Sequence, residues 1–600
     1  MAVVLLLFLT RLFYLQIIDD TYSELASKNA IRRVSNYPNR GLITDRNGKI
    51  VVFNDAVYDL YVVPARVKEM DTLRFCQLLK IDITFFREQL QKAKNYSRYK
   101  PSPFVKQISA KDFGLFQEHL YEFPGFYEEL RTIRRYPFKS AAHTLGYIGE
   151  VSPSEIEKNP YYQPGDYIGI SGLEATYENF LRGKRGVRYM LVDNLNREKG
   201  SFKNGELDTP AIAGKNLQIT LDILLQNYGE KLMQNKKGSV VCIEPETGEI
   251  LAMISSPTYD PNLLTGRERG KNYLALKSDT LEPLYNRPIM GLYPPGSTFK
   301  TLVGLIALQE NVIKENSGYN CRLGYSIGSV FVKCRPHPPA SNLSIALQHS
   351  CNAYFCNAFK ETIDNPKYKN EDASLAKWNE YLYSFGLGNK IGIDIPNEKN
   401  GFIPTPEYYK KIYKGWRWRS STIISLGIGQ GEITVTPLQL ANVAACIANR
   451  GWYYIPHIAK KIDDPDFYKD NNYLQKQKTM VDSVFFSSVV EAMYLTVEQG
   501  TARASRIPGI SMCGKTGTVQ NPHGEDHSMF IAFAPKDNPK IVVCAVVENS
   551  GGGSKFAAPI ASLLIEKYLN DTIAEPRKAL EQRILEANFI NPKPEVSEPQ

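Results

Sequence analysis

The chain has 600 residues, of which 43% are hydrophobic and 22% are charged, and its 72 basic and 63 acidic residues give a net charge of +9. This composition excludes a disordered chain and predicts two to four domains, at least one with a large core. The basic excess is spread along the sequence without an aromatic-interleaved basic stripe, which argues against nucleic-acid binding and suits a nearby membrane or cell wall. Nine scattered cysteines do not form the pattern of a disulfide scaffold.

The first eighteen residues, Met1 to Ile18, are apolar with few exceptions. A membrane-spanning helix needs about twenty apolar residues. A cleaved signal peptide would instead need a small-residue cleavage site, which this stretch does not offer. We therefore expect residues 1–18 to be a single transmembrane anchor, truncated at its front, with everything after Asp19 on one side of the membrane.

Residues 19–205 are polar and rich in aromatic side chains, and their short strands are bounded by turns. Arg40–Val52 predicts a strand, an Asn-Gly hairpin turn and a second strand. A helical segment is expected around Asp71–Lys94. No part of this region has the residues of an active site by itself, so we expect a spacer and docking domain.

Residues 206–570 predict a second domain. A β-hairpin is expected within residues 238–255 and a second strand pair within residues 530–547. Strands near both ends of the domain, with helices between, indicate one antiparallel sheet that the chain leaves and rejoins. A helix is expected over residues 561–569, and residues 571–600 are expected to be a C-terminal tail that begins with a charged helical piece.

The stretch Tyr293–Lys300 precedes an apolar helix and contains Ser297 and Lys300. Two prolines and a glycine end the preceding structure, so Ser297 is predicted in the first turn of the helix. Lys300, three residues later, would project from the same face. A lysine in a dry site has a lowered pKa and can take the proton of a serine, which makes that serine nucleophilic.

Two later segments supply possible partners for this pair. Ser350 can relay a proton, and Asn352 can hold a substrate carbonyl. A predicted edge strand over residues 514–519 offers positive charge, hydroxyl groups and a glycine to a substrate carboxylate and backbone; these residues are Lys515, Thr516, Gly517 and Thr518. Each segment alone also fits a solvated helix start or strand, but all three in this order favour an active site.

Ser-x-x-Lys, Ser-x-Asn and Lys-Thr-Gly in this order resemble the signature of the penicillin-recognising serine acyltransferases. Arg40–Gly48 resembles a motif in the pedestal of the class B penicillin-binding proteins, and Gly169–Gly183 resembles a second one. Within that family the chain is most similar to the elongation-specific, rod-shape transpeptidases. The resemblance implies a multidomain α+β fold: the anchor, a β-rich pedestal or dimerisation domain over residues 19–205, and a transpeptidase domain over residues 206–570 with an antiparallel sheet covered by helices.

The resemblance also implies an activity, a D,D-transpeptidase that crosslinks peptidoglycan stem peptides during cell elongation and is acylated by β-lactams. Ser297 would attack the D-Ala-D-Ala carbonyl, with Lys300 as base and Ser350 passing the proton to the departing D-alanine. Backbone N–H groups of Ser297 and Thr518 would form the oxyanion hole. Lys515 would help to hold the substrate, and the remaining binding residues would be Asn352, Thr516, Gly517 and Thr518.

The implied partners and location follow from the same resemblance. A SEDS-family glycan polymerase and other elongation-complex proteins would bind through the anchor and the pedestal. The chain would be a single-pass protein of the cytoplasmic (inner) membrane with its catalytic domain in the periplasm. Catalysis itself would need no cofactor.

Three cysteines and a histidine between the first two motifs match a structural zinc site with four protein ligands. The residues are Cys321, Cys334, His337 and Cys351. Because Cys351 lies inside the Ser-x-Asn motif, a metal there would brace the motif from behind. A Cys321–Cys334 disulfide, as expected in an oxidising compartment, and inert buried thiols are the alternatives.

Other functions remain open at this stage. A D,D-carboxypeptidase or serine β-lactamase shares the three motifs, although the long pedestal argues against a simple β-lactamase. A catalytically idle penicillin sensor or scaffold is disfavoured by the complete set of catalytic groups, and the division-specific paralogue by the cysteine-histidine cluster. Gly427–Gly431 mimics a phosphate loop, but a tight turn followed by a helix capped by Thr436 is favoured.

Overall fold

The computed structural model describes residues 31–192, 198–328, 330–414, 417–469, 472–522 and 524–590. The expected anchor at residues 1–18 and the end of the expected tail, from residue 591, lie outside these ranges. Among the described residues, no helix combines the length and the apolar character required to cross a membrane.

The described residues form twenty strands in six sheets. The strands are β1 (Ile31–Asn36), β2 (Ile43–Thr44), β3 (Ile50–Val62), β4 (Ser102–Ser109), β5 (Phe126–Arg135), β6 (Ile148–Glu150), β7 (Tyr167–Gly169), β8 (Gly186–Val192), β9 (Glu198–Ser201), β10 (Leu217–Ile219), β11 (Gly238–Ile243), β12 (Ile250–Ser256), β13 (Gly324–Ile327), β14 (Val330–Lys333), β15 (Trp452–Tyr454), β16 (Ala459–Ile462), β17 (Lys476–Lys478), β18 (Cys513–Val519), β19 (His527–Ala534) and β20 (Ile541–Val547).

The α-helices of the described residues are divided equally between the chain before Lys300 and the chain from Lys300 onward. They are Thr72–Leu79, Ile83–Tyr96, Ala110–Gln117, Ala142–Leu145, Pro153–Lys158, Gly172–Thr176, Glu178–Leu181, Ile223–Leu232, Arg269–Ser278, Arg287–Met290, Lys300–Gln309, Leu343–Gln348, Asn352–Ile363, Glu371–Ser384, Pro406–Ile412, Pro437–Ala448, Pro465–Lys469, Phe486–Glu498, Ala557–Asn570 and Lys578–Glu586.

The N-terminal domain is built on the long strand β3, which pairs with β2, β4 and β5. Ile43 lies opposite Val52 across the β2–β3 hairpin, so the predicted Asn-Gly hairpin is confirmed. The helical segment expected around Asp71–Lys94 forms, and it is divided into two helices, Thr72–Leu79 and Ile83–Tyr96. Lys80 adopts φ 52° and ends the first of them in the left-handed region.

A buried charge network joins the two stretches on which the pedestal resemblance rests. Arg40 Nε donates to Glu174 Oε2 at 2.7 Å, and Arg134 Nε donates to Glu174 Oε1 at 2.7 Å. Arg40 also reaches Glu178 Oε2 at 2.5 Å. Glu174 and Arg134 are fully buried, so each charge depends on its partner for the interactions that water would otherwise supply.

Strand β10 lies near the start of the predicted second domain and joins a sheet of the first. It pairs in parallel with β2 and antiparallel with β16, and β16 comes from much later in the chain. The two domains therefore share a sheet rather than meeting only at a flexible linker.

The sheet of the second domain has the order β12-β11-β20-β19-β18, and all its pairs are antiparallel. The chain leaves after β12 and rejoins at β18, as predicted. Along β11 the side chains alternate between two cores: Val240 packs with the helix Ala557–Asn570, and Val241 packs with the helix Pro437–Ala448. Within the described residues β18 has one neighbour, so it is an edge strand, which is also as predicted.

The start of the expected C-terminal tail is folded onto the second domain. In the helix Lys578–Glu586, Ile584 is fully buried in the core beside the helix Ala557–Asn570. Lys236 Nζ donates to Ala587 O at 3.0 Å. An amphipathic helix with an apolar face belongs to the domain rather than to a tail.

Candidate active site

Ser297 lies in a 3-10 turn, Gly296–Phe299, that leads directly into the helix Lys300–Gln309. Gly296 N donates to Gly429 O at 2.8 Å. Gly429 has φ +69°, and a Cβ added there would lie 2.2 Å from Gly296 O. The predicted tight turn at Gly427–Gly431 is confirmed, and it also positions the serine turn. Sequence reasoning missed this second role, for which the glycine spacing was the available signal.

Lys300 is fully buried at the start of the helix that follows. Its Nζ donates to Ser350 O at 2.8 Å, to Ser350 Oγ at 3.2 Å and to Asn352 Oδ1 at 2.5 Å. The amine is therefore held by the Ser-x-Asn motif rather than by Ser297. Burial lowers the pKa of Lys300 to about 8, because the dry site disfavours the charged form.

Ser350 lies at the junction of the helices Leu343–Gln348 and Asn352–Ile363. It adopts φ +59°, a left-handed conformation that is uncommon for residues other than glycine and is often found at functional sites. This geometry presents its hydroxyl to two amines at once. Lys300 Nζ lies 3.2 Å and Lys515 Nζ lies 3.0 Å from Ser350 Oγ.

Lys515 is also fully buried, and its Nζ donates to Thr516 O at 3.0 Å. Burial, followed by the charge of Lys300, lowers the pKa of Lys515 well below its usual value. Two ammonium groups bound to one hydroxyl oxygen in a dry site would repel each other, so protonation of one amine opposes protonation of the other. The arrangement keeps a neutral amine beside Ser350 and can move a proton through its hydroxyl.

The edge strand β18 turns the backbone of Thr518 towards its open side. Gln430 Nε2 donates to Thr518 O at 3.3 Å, which shows that this carbonyl faces away from β19. The N–H and C=O of one strand residue point to the same side, so the Thr518 N–H also faces the open edge. Gln430 is a second contact of the Gly427–Gly431 turn that sequence reasoning missed.

The remaining residues of the Lys-Thr-Gly segment have contacts of their own. Thr516 Oγ1 lies 2.8 Å from Thr501 Oγ1, and Gly553 N donates to Thr518 Oγ1 at 3.4 Å. A Cβ added at Gly517 would lie 3.0 Å from Thr298 Cγ2. The glycine therefore lets the serine turn pack against the strand, a reason different from the predicted close approach of substrate.

The four cysteine and histidine residues of the predicted metal set come together behind the Ser-x-Asn motif. One ligand atom from each of Cys321, Cys334, His337 and Cys351 lies within 4.8 Å of all the others. All the described cysteines have free thiols, so the alternative Cys321–Cys334 disulfide does not form in this structure.

Hydrogen bonds connect this cluster to the catalytic groups. Asn352 N and Ala353 N donate to Cys334 Sγ at 3.1 and 3.3 Å. The hydrogen bond from the Cys351 thiol lowers the pKa of Cys334 against the opposing effect of burial. His337 Nδ1 hydrogen-bonds to Pro338 O at 2.6 Å, which leaves its Nε2 buried without a partner among the described residues. Thiols and an unpartnered imidazole nitrogen in one place are a donor set that fits zinc.

Two family matches cover most of the chain. Residues 238–566 match the penicillin binding protein transpeptidase domain, and residues 35–219 match the penicillin-binding protein dimerisation domain. The first match alone spans more than half of the 600 residues. The chain belongs to the penicillin-binding protein transpeptidases. The family confirms the resemblance that the three motifs indicated, and with it the two-domain fold of pedestal and transpeptidase domain.

Individual relatives agree with this membership of the penicillin-binding protein transpeptidases. The peptidoglycan D,D-transpeptidase MrdA of Haemophilus influenzae is 32% identical over 95% of this chain and 90% of its own. A chain in the solved complex between penicillin-binding protein PBP2 and MreC from Helicobacter pylori is 27% identical to this chain. The match has a TM-score of 0.74 and covers 90% of this chain and 100% of that chain. A chain of a peptidoglycan synthase complex that coordinates polymerization and crosslinking is 25% identical, with TM-score 0.70 over 96% of this chain and 97% of that chain. The activity of this penicillin-binding protein is that of a serine-type peptidoglycan D,D-transpeptidase.

Proposed function

We propose that this transpeptidase works through an acyl-enzyme on Ser297, with the lysine-serine-lysine arrangement moving the proton. The observation that carries the proposal is the Ser350 hydroxyl at 3.2 and 3.0 Å from two buried amines, those of Lys300 and Lys515. Proton relays need donors and acceptors within hydrogen-bond distance and with pKa values near the working pH. Burial lowers the pKa of both lysines, and that of Lys300, at about 8, meets the second condition.

In acylation, Ser297 Oγ attacks the carbonyl carbon of the penultimate D-alanine as its proton passes to the neutral amine of Lys300. The peptide bond to the terminal D-alanine breaks, and the proton continues through Ser350 to the nitrogen of the departing D-alanine. An amine of a neighbouring stem peptide then attacks the ester carbonyl. Ser297 regains its proton, and a new peptide bond joins the two strands.

Substrate positioning is assigned to the open edge of β18. Backbone N–H groups of Ser297 and Thr518 would bind the oxyanion, and loss of one such donor lowers the rate on the order of 10²–10³-fold. Lys515, Thr516 and Thr518 would hold the terminal carboxylate. Asn352 already uses Oδ1 for Lys300 and one N–H for Lys333 O at 2.7 Å, so its second N–H is left for a substrate carbonyl.

Labelling with a fluorescent penicillin tests the proposal. The wild-type protein is expected to take one label per chain, and Ser297→Ala is expected to take none. A conservative control, Ser562→Ala, removes a buried hydroxyl of the transpeptidase domain far along the chain, and it should label like the wild type if folded. Equal labelling of Ser297→Ala and wild type would overturn the assignment.

We also propose the setting of the reaction. The protein would act in cell elongation as a single-pass protein of the cytoplasmic membrane, with the transpeptidase domain in the periplasm and a SEDS-family glycan polymerase bound through the anchor and pedestal. The support is the similarity to MrdA and to chains solved with MreC and within a peptidoglycan synthase complex. Co-purification of the full chain with its polymerase, lost on deletion of residues 1–18, would test the contact; retention after deletion would contradict it.

Zinc is the metal that we propose for the cysteine-histidine cluster. Four protein ligands close such a site, so the ion would be structural, fixing the loop that carries Ser350 and Asn352 and taking no part in the reaction. The support is the convergence of four ligand atoms and the unpartnered Nε2 of His337.

Metal analysis of the purified protein tests the zinc proposal. We expect about one zinc per wild-type chain and a large loss in Cys334→Ser, because removal of one of four ligands opens the site. The matched control is Cys446→Ser, which replaces a buried cysteine outside the cluster and should retain the metal. If the wild-type protein contained much less than one zinc per chain, the zinc proposal would be refuted.

A further inference from the structure

Arg335 is an exposed arginine beside the active site, and the mechanism described above does not use it. It directly follows Cys334 of the cysteine-histidine cluster, on the loop between β14 and the helix Leu343–Gln348. Cys334 Sγ accepts from Asn352 N at 3.1 Å. The backbone from which Arg335 projects is therefore fixed beside the Ser-x-Asn motif.

A second loop, between β20 and the helix Ala557–Asn570, lies on the Lys-Thr-Gly segment. Gly553 N donates to Thr518 Oγ1 at 3.4 Å. A Cβ added at Gly553 would lie 2.3 Å from Gly517 O, so a glycine is required for this close approach of the loop to the edge strand. The preceding residue, Gly552, is therefore held at a fixed place beside the substrate-binding hydroxyls.

The guanidinium of Arg335 meets this second loop at Gly552. A Cβ added at Gly552 would lie 3.6 Å from Arg335 Nη2 and 3.7 Å from Thr518 Oγ1. No other described heavy atom outside Gly552 and its two neighbours lies within 4 Å of that point. Arg335 thus joins the Ser-x-Asn side of the active site to the Lys-Thr-Gly side, and open space separates its guanidinium from the Thr518 hydroxyl.

Both groups beside this open space can donate hydrogen bonds. Within the part of the chain that the structure describes, the Arg335 side chain makes no hydrogen bond or ion pair. Thr518 Oγ1 accepts from Gly553 N, so its O–H can donate to another acceptor. A guanidinium and a hydroxyl that donate towards one point favour an anion with two acceptor oxygens.

The spacing of the two donors fits a carboxylate. Arg335 Nη2 and Thr518 Oγ1 are at most about 7.3 Å apart, the sum of their distances from the point beside Gly552. Two hydrogen bonds of about 2.8 Å to the oxygens of one carboxylate, which are about 2.2 Å apart, span up to about 7.8 Å. The donor peptide brings such a group to this place, because its terminal carboxylate is assigned to Thr516 and Thr518.

We propose that Arg335 is a specificity-determining residue that reaches over the bound donor peptide and binds its terminal carboxylate from the side opposite Thr518. Its charge makes the enzyme prefer a donor that ends in a free carboxylate over one whose end is neutral. The inference rests on the donor site proposed above and adds to it a residue from the loop of the cysteine-histidine cluster.

Acylation by benzylpenicillin and by its 3-carboxamide tests this role. In the second compound a neutral amide of similar size replaces the carboxylate that stands in for that of the terminal D-alanine. In Arg335→Gln we expect benzylpenicillin to acylate about tenfold more slowly than in the wild type, the effect of one charged hydrogen bond, and the carboxamide rate to change by about twofold at most. Arg335→Lys keeps a positive charge and should recover part of the loss.

Arg322→Gln is the matched control for this experiment. Arg322 is also an exposed arginine directly after a cysteine of the cluster, Cys321, and it is not among the atoms near the open point beside Gly552. The ratio of the benzylpenicillin and carboxamide rate constants, measured by mass spectrometry of the intact protein, should equal the wild-type ratio in this variant.

The outcomes separate this inference from the mechanism. If Arg335→Gln slowed both compounds by the same factor, Arg335 would support its loop without binding the carboxylate, and the inference would be refuted. Acylation of Arg335→Gln by benzylpenicillin at the wild-type rate would refute the inference and leave the acyl-enzyme mechanism in place. A wild-type protein that benzylpenicillin does not acylate would refute both.

Discussion

The pH dependence of acylation follows from the burial of Lys300. This amine is fully buried, and burial lowers its pKa to about 8. Lys300 can take the serine proton only in its neutral form, which makes up about one tenth of the enzyme at pH 7 and about nine tenths at pH 9. The second-order rate constant of acylation should therefore rise about tenfold for each pH unit below 7 and level off above pH 9.

The assay is stopped-flow or quenched labelling with benzylpenicillin from pH 6 to pH 10, at constant ionic strength. Lys300→Met is the matched variant: its side chain is unbranched and one atom shorter, it lacks the amine, and it should acylate on the order of 10²–10⁴-fold more slowly. Its residual rate should lack the rise centred near pH 8. A wild-type rate that is flat from pH 6 to pH 9, or that falls as pH rises, would refute the reasoning.

Three further substitutions follow from the contacts. Glu174→Gln leaves two buried guanidinium groups short of a negative charge and should lower the free energy of unfolding by about 3–5 kcal/mol in urea denaturation, more than Glu178→Gln does. Gly429→Ala should slow acylation about a hundredfold, since its Cβ would press on Gly296 O and shift the serine turn. Ser350→Ala should slow acylation on the order of 10²–10⁴-fold through loss of the proton relay.

Each of these three predictions would be contradicted by one result. Equal free energies of unfolding for Glu174→Gln and wild type would show that the charge network around Glu174 does not stabilise the pedestal domain. Gly165→Ala is the control for backbone strain alone, because Gly165 has φ +90° and open space around the added Cβ. If Gly429→Ala and Gly165→Ala were acylated at the same rate, the added Cβ at residue 429 would not displace the serine turn. If Ser350→Ala were acylated at the wild-type rate, Ser350 would not relay the proton.

The sequence predicted those parts of the molecule that short-range patterns determine. The β2–β3 hairpin follows from its Asn-Gly turn, and the sheet strands follow from runs of β-branched and apolar residues. The three motifs that meet at Ser350 Oγ were found because residue type and order carry the chemistry. The break at Lys80 was missed, because no glycine or proline marks the left-handed residue that ends the first helix.

Long-range pairing is what the sequence could not supply. Nothing in β10 indicates that it joins β2 and β16, since a three-residue strand has no pattern that specifies its neighbours. The same holds in the active site, where the hydrogen bonds of Lys300 to Ser350 and Asn352 join residues about fifty positions apart in the chain. The contacts of Gln430 and Gly429 depend on a loop more than a hundred residues from Ser297.

The most direct test of the account is to locate the acyl group. Mass spectrometry of peptides from the benzylpenicillin-treated protein should find the penicilloyl adduct on the peptide that contains Ser297, with one adduct per chain. An adduct on Ser350 or on another residue, or no adduct on a folded protein, would contradict the assignment of Ser297 as the nucleophile.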